Sequence, residues 1–248
     1  MYHFFTEPSL IDGHDIYIAG SDYNHIKNVL RLRPGDVVSV SDGVGQDEYR
    51  CHIEAFEADR VRLKLDFVKR ADVELPVRLT LFQGLPKSDK MDFIVQKTVE
   101  LGIAEIVPVE LSRCVTKPDG KKKQARVQRW NTIAEAAAKQ SKRAVIPTVQ
   151  PVMTLEEALK YAENIDHKLI PYELTEELSS AGAILENIRE GESVCLFIGP
   201  EGGFEEAEVE AARAAGFKDI SLGKRILRTE TAALVVLSWF IYLFEIRM

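Results

Sequence analysis

Three cysteines in 248 residues, Cys51, Cys114 and Cys195, are too few and too scattered for a disulfide framework or a CxxC metal site. The five histidines (His3, His14, His25, His52, His167) show no ligand spacing, so neither a structural nor a catalytic zinc is expected. The G-x-G-x-x-G fingerprint and the GxxxxGK[ST] P-loop are both missing, which counts against a nucleotide-dependent α/β enzyme. Residues 1–9 carry no basic n-region and no long apolar core, so no signal peptide is expected and a reducing cytoplasm is the simplest setting. Residues 232–244 are apolar but interrupted by Ser238, short of the roughly 20 residues of a membrane span. Cationic charge is scarce too. With 32 Lys and Arg against 39 Asp and Glu, net −7, no global field can hold nucleic acid, and any RNA binding must use local patches.

What is present suits one large domain or two moderate ones. From residue 1 to 72 short extended runs alternate with turns: 3–6, 15–19, 37–41, 48–56 and 61–68, interrupted by one short helix at 22–30. Arg60, Arg62 and Lys64 alternate with Val61, Leu63 and Leu65, the period of a half-buried strand. This reads as a small β-barrel. Its nine Lys and Arg face thirteen Asp and Glu, yet His25, Lys27, Arg31 and Arg33 cluster around Pro34-Gly35, either as solvated helix-end cations or as an RNA contact. Residues 71–76 read as a linker, dividing the chain into 1–72 and 73–248. Beyond it strand and helix alternate, as in a parallel α/β sheet. Strands are expected at 77–82, 104–109, 168–172, 193–198 and 219–222. The helix capped by Ser88 carries Met91, Ile94, Val95, Thr98 and Leu101 on one face and stops at Gly102; others are expected at 178–189, 205–215 and from about 230. The last is apolar all round, hence central in its domain or half covered by a second subunit, and we favour a homodimer.

Two glycine-bearing segments follow strands at one sheet edge, where open α/β sheets bind ligands. The first is Leu196-Phe197-Ile198-Gly199-Pro200-Glu201-Gly202-Gly203-Phe204, either an ordinary strand-to-helix turn or one wall of a pocket. Glu201, Glu205, Glu206 and Glu208 crowd the following helix N-terminus and would repel a phosphate, so a neutral or cationic ligand fits better. The second is Leu222-Gly223-Lys224-Arg225-Ile226-Leu227-Arg228-Thr229-Glu230-Thr231-Ala232, in which Ile226 and Leu227 could pack a flat ring. Alternatively Thr229 caps the last helix, Glu230 sits in its first turn and the arginines are ordinary surface residues. Between 111 and 147, ten Lys and Arg face only Asp119 and Glu135. That run is a solvated loop or, as we favour, a phosphate-contacting surface.

The two loops, with His25-Ile26-Lys27-Asn28-Val29-Leu30-Arg31, Gln96 to Gly102, Ser112-Arg113 and Gln140-Ser141 with Arg143, closely resemble the RsmE-type ribosomal RNA uridine-N3 methyltransferases of the SPOUT (trefoil-knot) superfamily. The resemblance implies a PUA-like N-terminal β-barrel, a C-terminal knotted parallel-sheet α/β domain that dimerises, and S-adenosyl-L-methionine-dependent methylation of a uridine in small-subunit ribosomal RNA, free or in the assembled subunit. It implies cofactor contacts from Ile198, Gly199, Pro200, Glu201, Gly202, Gly203, Leu222, Gly223, Ile226 and Leu227. For that chemistry we expect Arg228 to stabilise negative charge on the uracil carbonyl oxygens, Glu230 to accept the proton or orient Arg228, and Arg31, Arg33, Arg113, Gln140 and Arg143 to contact RNA. Lys139 departs from the family's usual acidic residue and makes its surface more basic.

Overall fold

In the computed structural model, which describes residues 1–87, 89–115, 119–172 and 179–247, the chain forms two compact units. One comprises Met1–Glu74 with Ala138–Ile146, the other Leu75–Ala137 with Pro147–Met248. The division expected after residue 72 leaves out the 138–146 segment, which no shift in composition marks.

The N-terminal unit is a six-stranded sheet built from β1 (His3–Phe5), β2 (Ile11–Asp12), β3 (Asp15–Ala19), β4 (Val37–Ser41), β5 (Asp47–Phe56) and β6 (Arg60–Arg70), in the order β1-β4-β5-β6-β3-β2. Only β1 and β4 pair in parallel. Thr6, just past β1, donates its hydroxyl to the Tyr17 carbonyl of β3 at 2.6 Å, drawing opposite ends of the sheet together. The period-2 pattern does its work: Ile16, Ile18, Val38, Val40, Cys51, Ile53, Val61 and Leu63 form a buried core while Arg62 and Lys64 turn outward. Burial pushes the Cys51 thiol up to about 12, so it packs as an inert apolar residue. The helix expected at 22–30 is α1 (Gly20–Asn24) continued by a wider turn, His25–Val29.

The C-terminal unit holds an all-parallel sheet of β7 (Arg78–Gly84), β8 (Glu105–Glu110), β9 (Thr148–Val149), β10 (Met153–Thr154), β11 (His167–Pro171), β12 (Ser193–Ile198) and β13 (Lys218–Ile220). The order is β10-β8-β7-β12-β11-β13, with β9 also against β8. The central strands read as nearly unbroken apolar runs because both faces are covered. The helices are α2 (Lys90–Glu100), α3 (Gly120–Ser141), α4 (Leu155–Tyr161), α5 (Ser179–Glu186), α6 (Glu206–Ala214) and α7 (Thr229–Ile241). Ser88, the expected cap of α2, lies outside the described residues; Asp89 occupies the cap position. Val99 rather than Leu101 completes the buried face, because Leu101 is the residue at which α2 ends. Gly102 has φ +92°, and a Cβ there would sit 2.7 Å from Leu75 Cδ1, so only glycine closes this turn. Helix α4 was not expected, although its Thr154/Glu157 capping box was readable. Helix α7 packs on α2 and β12, and with its continuation Tyr242–Ile246 it forms an apolar stretch a third of which is buried.

Candidate active site

Strand β12 ends at Ile198 and the chain turns through 199–205 before α6. Pro200 lies against the end of β7, where a Cβ on Gly84 would come within 2.6 Å of Pro200 Cδ and 2.9 Å of Leu111. Glycine there lets the turn sit on the sheet. A Cβ on Gly202 would meet Arg113 Cβ at 3.1 Å, and the Arg113 guanidinium donates to the Gly202 carbonyl at 3.0 Å. Gly203 takes φ +67°, a conformation that L side chains rarely adopt. Helix α6 is capped by Glu205 and Glu208 reciprocally, and the buried Glu208 carboxylate also accepts from Ser112 N at 2.8 Å. Two of the four carboxylates expected to crowd this helix N-terminus, Glu205 and Glu208, are therefore spent on the fold.

The second segment follows β13 and leads into α7. Arg228, in extended conformation, holds the cap position, and Thr229 begins the helix. The Thr229 hydroxyl, read as a possible cap, instead donates to the Gly199 carbonyl at 2.6 Å. Gln83 of β7, fully buried, donates from Nε2 to Thr229 Oγ1 and to the Gly84 carbonyl, both at 2.9 Å. A second tie runs through Lys90 at the start of α2, whose Nζ lies 3.1 Å from Glu201 and 3.3 Å from Glu230. Burial pushes the Glu201 carboxyl up, but backbone donors, including Lys87 N, and the Lys90 ammonium outweigh it and hold the group below its usual range. Both carboxylates in turn hold Lys90 protonated, Glu201 more strongly. The tied segments enclose a cavity of about 960 Å³, walled by 198–204, 221–229, Lys90, Arg113 and Tyr172.

All ten residues expected to hold a cofactor line this cavity, as do Arg113 and Arg228. Within that lining Ile226 is 86% exposed, at the mouth of the cavity, while Leu227 is half-buried. Glu230 is not among the lining residues, and among the described residues its ion pair is with Lys90 and not with Arg228. Arg31, Arg33 and Gln140 are exposed on the N-terminal unit. Arg143, expected to contact RNA, is 3% exposed and its guanidinium is gripped by Glu74 (Nε–Oε2 3.1 Å, Nη2–Oε2 2.5 Å); it is a structural residue of the N-terminal unit. Sequence reasoning missed Gln83 and Lys90. A polar residue closing an apolar strand was a usable signal for Gln83, whereas nothing set Lys90 apart from other surface lysines.

Residues 73–241 match the family model described as an RNA methyltransferase domain, and 18–66 match an RNA methyltransferase PUA domain. The chain is 34% identical over 244 residues to ribosomal RNA small subunit methyltransferase E of Bacillus subtilis, covering 97% of this chain and 95% of that one. The chain belongs to this RNA methyltransferase family. A methyltransferase E from Mycobacterium bovis is 33% identical over 223 residues, covering 89% of this chain and 83% of the relative. The crystal structure of methyltransferase E from Neisseria gonorrhoeae bound to S-adenosyl methionine matches with a TM-score of 0.85 and 33% identity, over 98% of each chain. The N-terminal unit is accordingly PUA-like and the C-terminal unit a parallel-sheet α/β RNA methyltransferase domain, as the sequence resemblance implied.

Proposed function

We propose that this RNA methyltransferase binds S-adenosyl-L-methionine in the cavity and methylates N3 of a uridine in small-subunit (16S) ribosomal RNA. The observation that carries the reading is the cavity itself, two glycine turns tied at Thr229–Gly199 with Arg228, which has no side-chain partner among the described residues, on its rim. The residues present fit the cofactor. Glycines at 199, 202 and 203 keep the wall free of side chains, exposed Glu206 suits a cationic ligand, and no P-loop lysine is there to seek a polyphosphate. The backbone groups of the turns at 199–203 and 222–227 would hold the cofactor.

Bound there, S-adenosyl-L-methionine supplies a methyl group on a sulfonium, which uridine N3 takes in line as its own proton is lost. Holding nucleophile and methyl in line supplies about 7–11 kcal/mol of the barrier. Arg228 is free to donate to a uracil carbonyl as negative charge builds on the ring. Glu230 pairs with the Lys90 ammonium at 3.3 Å and so positions Lys90 beside the glycine turn. Arg113 and Gln140, with Arg31 and Arg33, contact RNA. The trefoil knot, a homodimer through the C-terminal unit, for which Phe93 and Tyr242 offer exposed apolar surface, and action in the cytoplasm complete the proposal.

The test is methyl transfer from labelled S-adenosyl-L-methionine to unmodified small ribosomal subunits, followed by nucleoside mass spectrometry. 3-Methyluridine is the expected product. Cofactor binding without transfer would reject the substrate, and RNA binding without cofactor binding would point to a non-catalytic assembly factor.

A further inference from the structure

Ile226 is the most exposed large apolar side chain among the described residues, at 86%. It stands at the mouth of the cavity between Arg225 and Leu227, with Lys224 and Arg228 one step further out. None of the three cations has a side-chain hydrogen bond or ion pair among the described residues, and no acidic residue occurs from Ser221 to Thr229. The contrast with the basic 111–147 stretch is informative. There Lys122 pairs with Asp119, Lys123 with Glu110, Arg129 with Asp92 and Lys139 with Asp22. Three adjacent cations without a carboxylate partner, Lys224, Arg225 and Arg228, thus share the rim of the reaction cavity with the exposed Ile226.

A free cationic segment tipped by a bare aliphatic side chain has the composition that polynucleotides select: charges for the phosphates, an apolar wedge for the space between bases. The target atom adds a reason for the wedge. N3 lies on the pairing edge of uracil, so the base must leave its stack to enter a cavity, and the gap it leaves is filled most cheaply by an apolar side chain carried on the rim. Pairing of Lys90 with Glu201 and Glu230 removes the other nearby ammonium from this role.

We infer that residues 224–226 form the RNA-docking rim of the active site, with Lys224 and Arg225 on the phosphates flanking the target uridine and Ile226 occupying the stack position that the uridine vacates. This rests on the uridine-N3 reading above.

The full-length enzyme, its I226A, I226M and K224Q/R225Q variants and unmodified small ribosomal subunits test it. I226A lowers kcat/KM for the subunits about 10- to 100-fold with cofactor Kd unchanged, and I226M, long and apolar, recovers most of it. K224Q/R225Q flattens the slope of log binding constant against log salt by about 1.4, at roughly 0.7 for each single-stranded phosphate contact. Loss of cofactor affinity in I226A would instead seat the side chain on the cofactor, and conversion of a dimer to monomers would seat it on a second copy. Either result overturns the rim, as does an unchanged salt slope. Nucleoside mass spectrometry on the wild-type reaction judges the N3 reading separately: a product other than 3-methyluridine rejects that reading and with it the wedge, while the salt slope still decides the phosphate contacts. Wild-type enzyme that binds no subunits rejects both.

Discussion

The Thr229 hydroxyl reaches across the sheet edge to the Gly199 carbonyl at 2.6 Å and accepts in return from buried Gln83, so the first residue of α7 fixes the shape of the glycine turn after β12. Thr229→Val keeps the volume and removes the hydroxyl, leaving the Gly199 carbonyl and a Gln83 N–H without their partner. We expect a loss of about 1–3 kcal/mol of stability and weaker cofactor binding, with Thr229→Ser close to wild type. Thermal unfolding and calorimetric titration with S-adenosyl-L-methionine measure both; a lowered melting temperature with unchanged affinity would confine the tie to folding.

How much of this was legible follows from which interactions are local. Strand and helix periods located β3, β4 and β12 to the residue, because alternation and apolar runs are properties of short windows. The two glycine loops announced a pocket for the same reason. Pairings between distant residues left no such mark. Lys90 meets Glu201 and Glu230 only because the parallel order sets the end of β7 beside that of β12, and Gln83 meets Thr229 across 146 positions. Arg143 looked like one more cation in a basic run; its burial against Glu74, 69 positions earlier, is a fact of tertiary packing.

The Arg143–Glu74 pair gives a prediction opposite to the one the basic run suggested. Both side chains are nearly buried, so Arg143→Met leaves an uncompensated carboxylate and costs about 3–5 kcal/mol, whereas Arg143→Met with Glu74→Leu recovers much of it. Arg143→Lys recovers little, since an ammonium cannot reproduce the grip of the guanidinium fork. Urea unfolding of the full chain measures these differences. A stable Arg143→Met enzyme with weakened RNA binding would return Arg143 to the RNA surface.

Stability also responds to acid through His3. Burial lowers its pKa from 6.5 to about 4, against the smaller opposing pull of Glu48, and Nδ1 meets Ser39 Oγ, whose proton goes to the Glu48 carboxylate. The folded state therefore resists the proton that the unfolded chain accepts. The stabilisation is full above pH 6.5 and is lost as pH falls towards 4, by up to about 3 kcal/mol. Melting curves of wild type and His3→Gln between pH 7.5 and 4.5 should converge at the acid end; parallel curves would assign the acid sensitivity to other groups.

Arg228 and Glu230 sit two residues apart and should separate cleanly in kinetics. Arg228 is exposed with no side-chain partner among the described residues, so Arg228→Ala should leave melting temperature and cofactor affinity near wild type. If its charge meets the uracil carbonyl only as the ring becomes anionic, kcat falls by about 10²–10³, and Arg228→Lys recovers part of that. Equal losses in kcat and cofactor affinity would make Arg228 a binding residue. Glu230 is engaged by Lys90, so Glu230→Gln should loosen the loop and weaken cofactor binding while the rate still climbs with pH as the N3 proton becomes easier to lose. A Glu230→Gln enzyme whose rate no longer depends on pH would instead identify this carboxylate as the proton acceptor, and the pairing with Lys90 would then have to open during turnover.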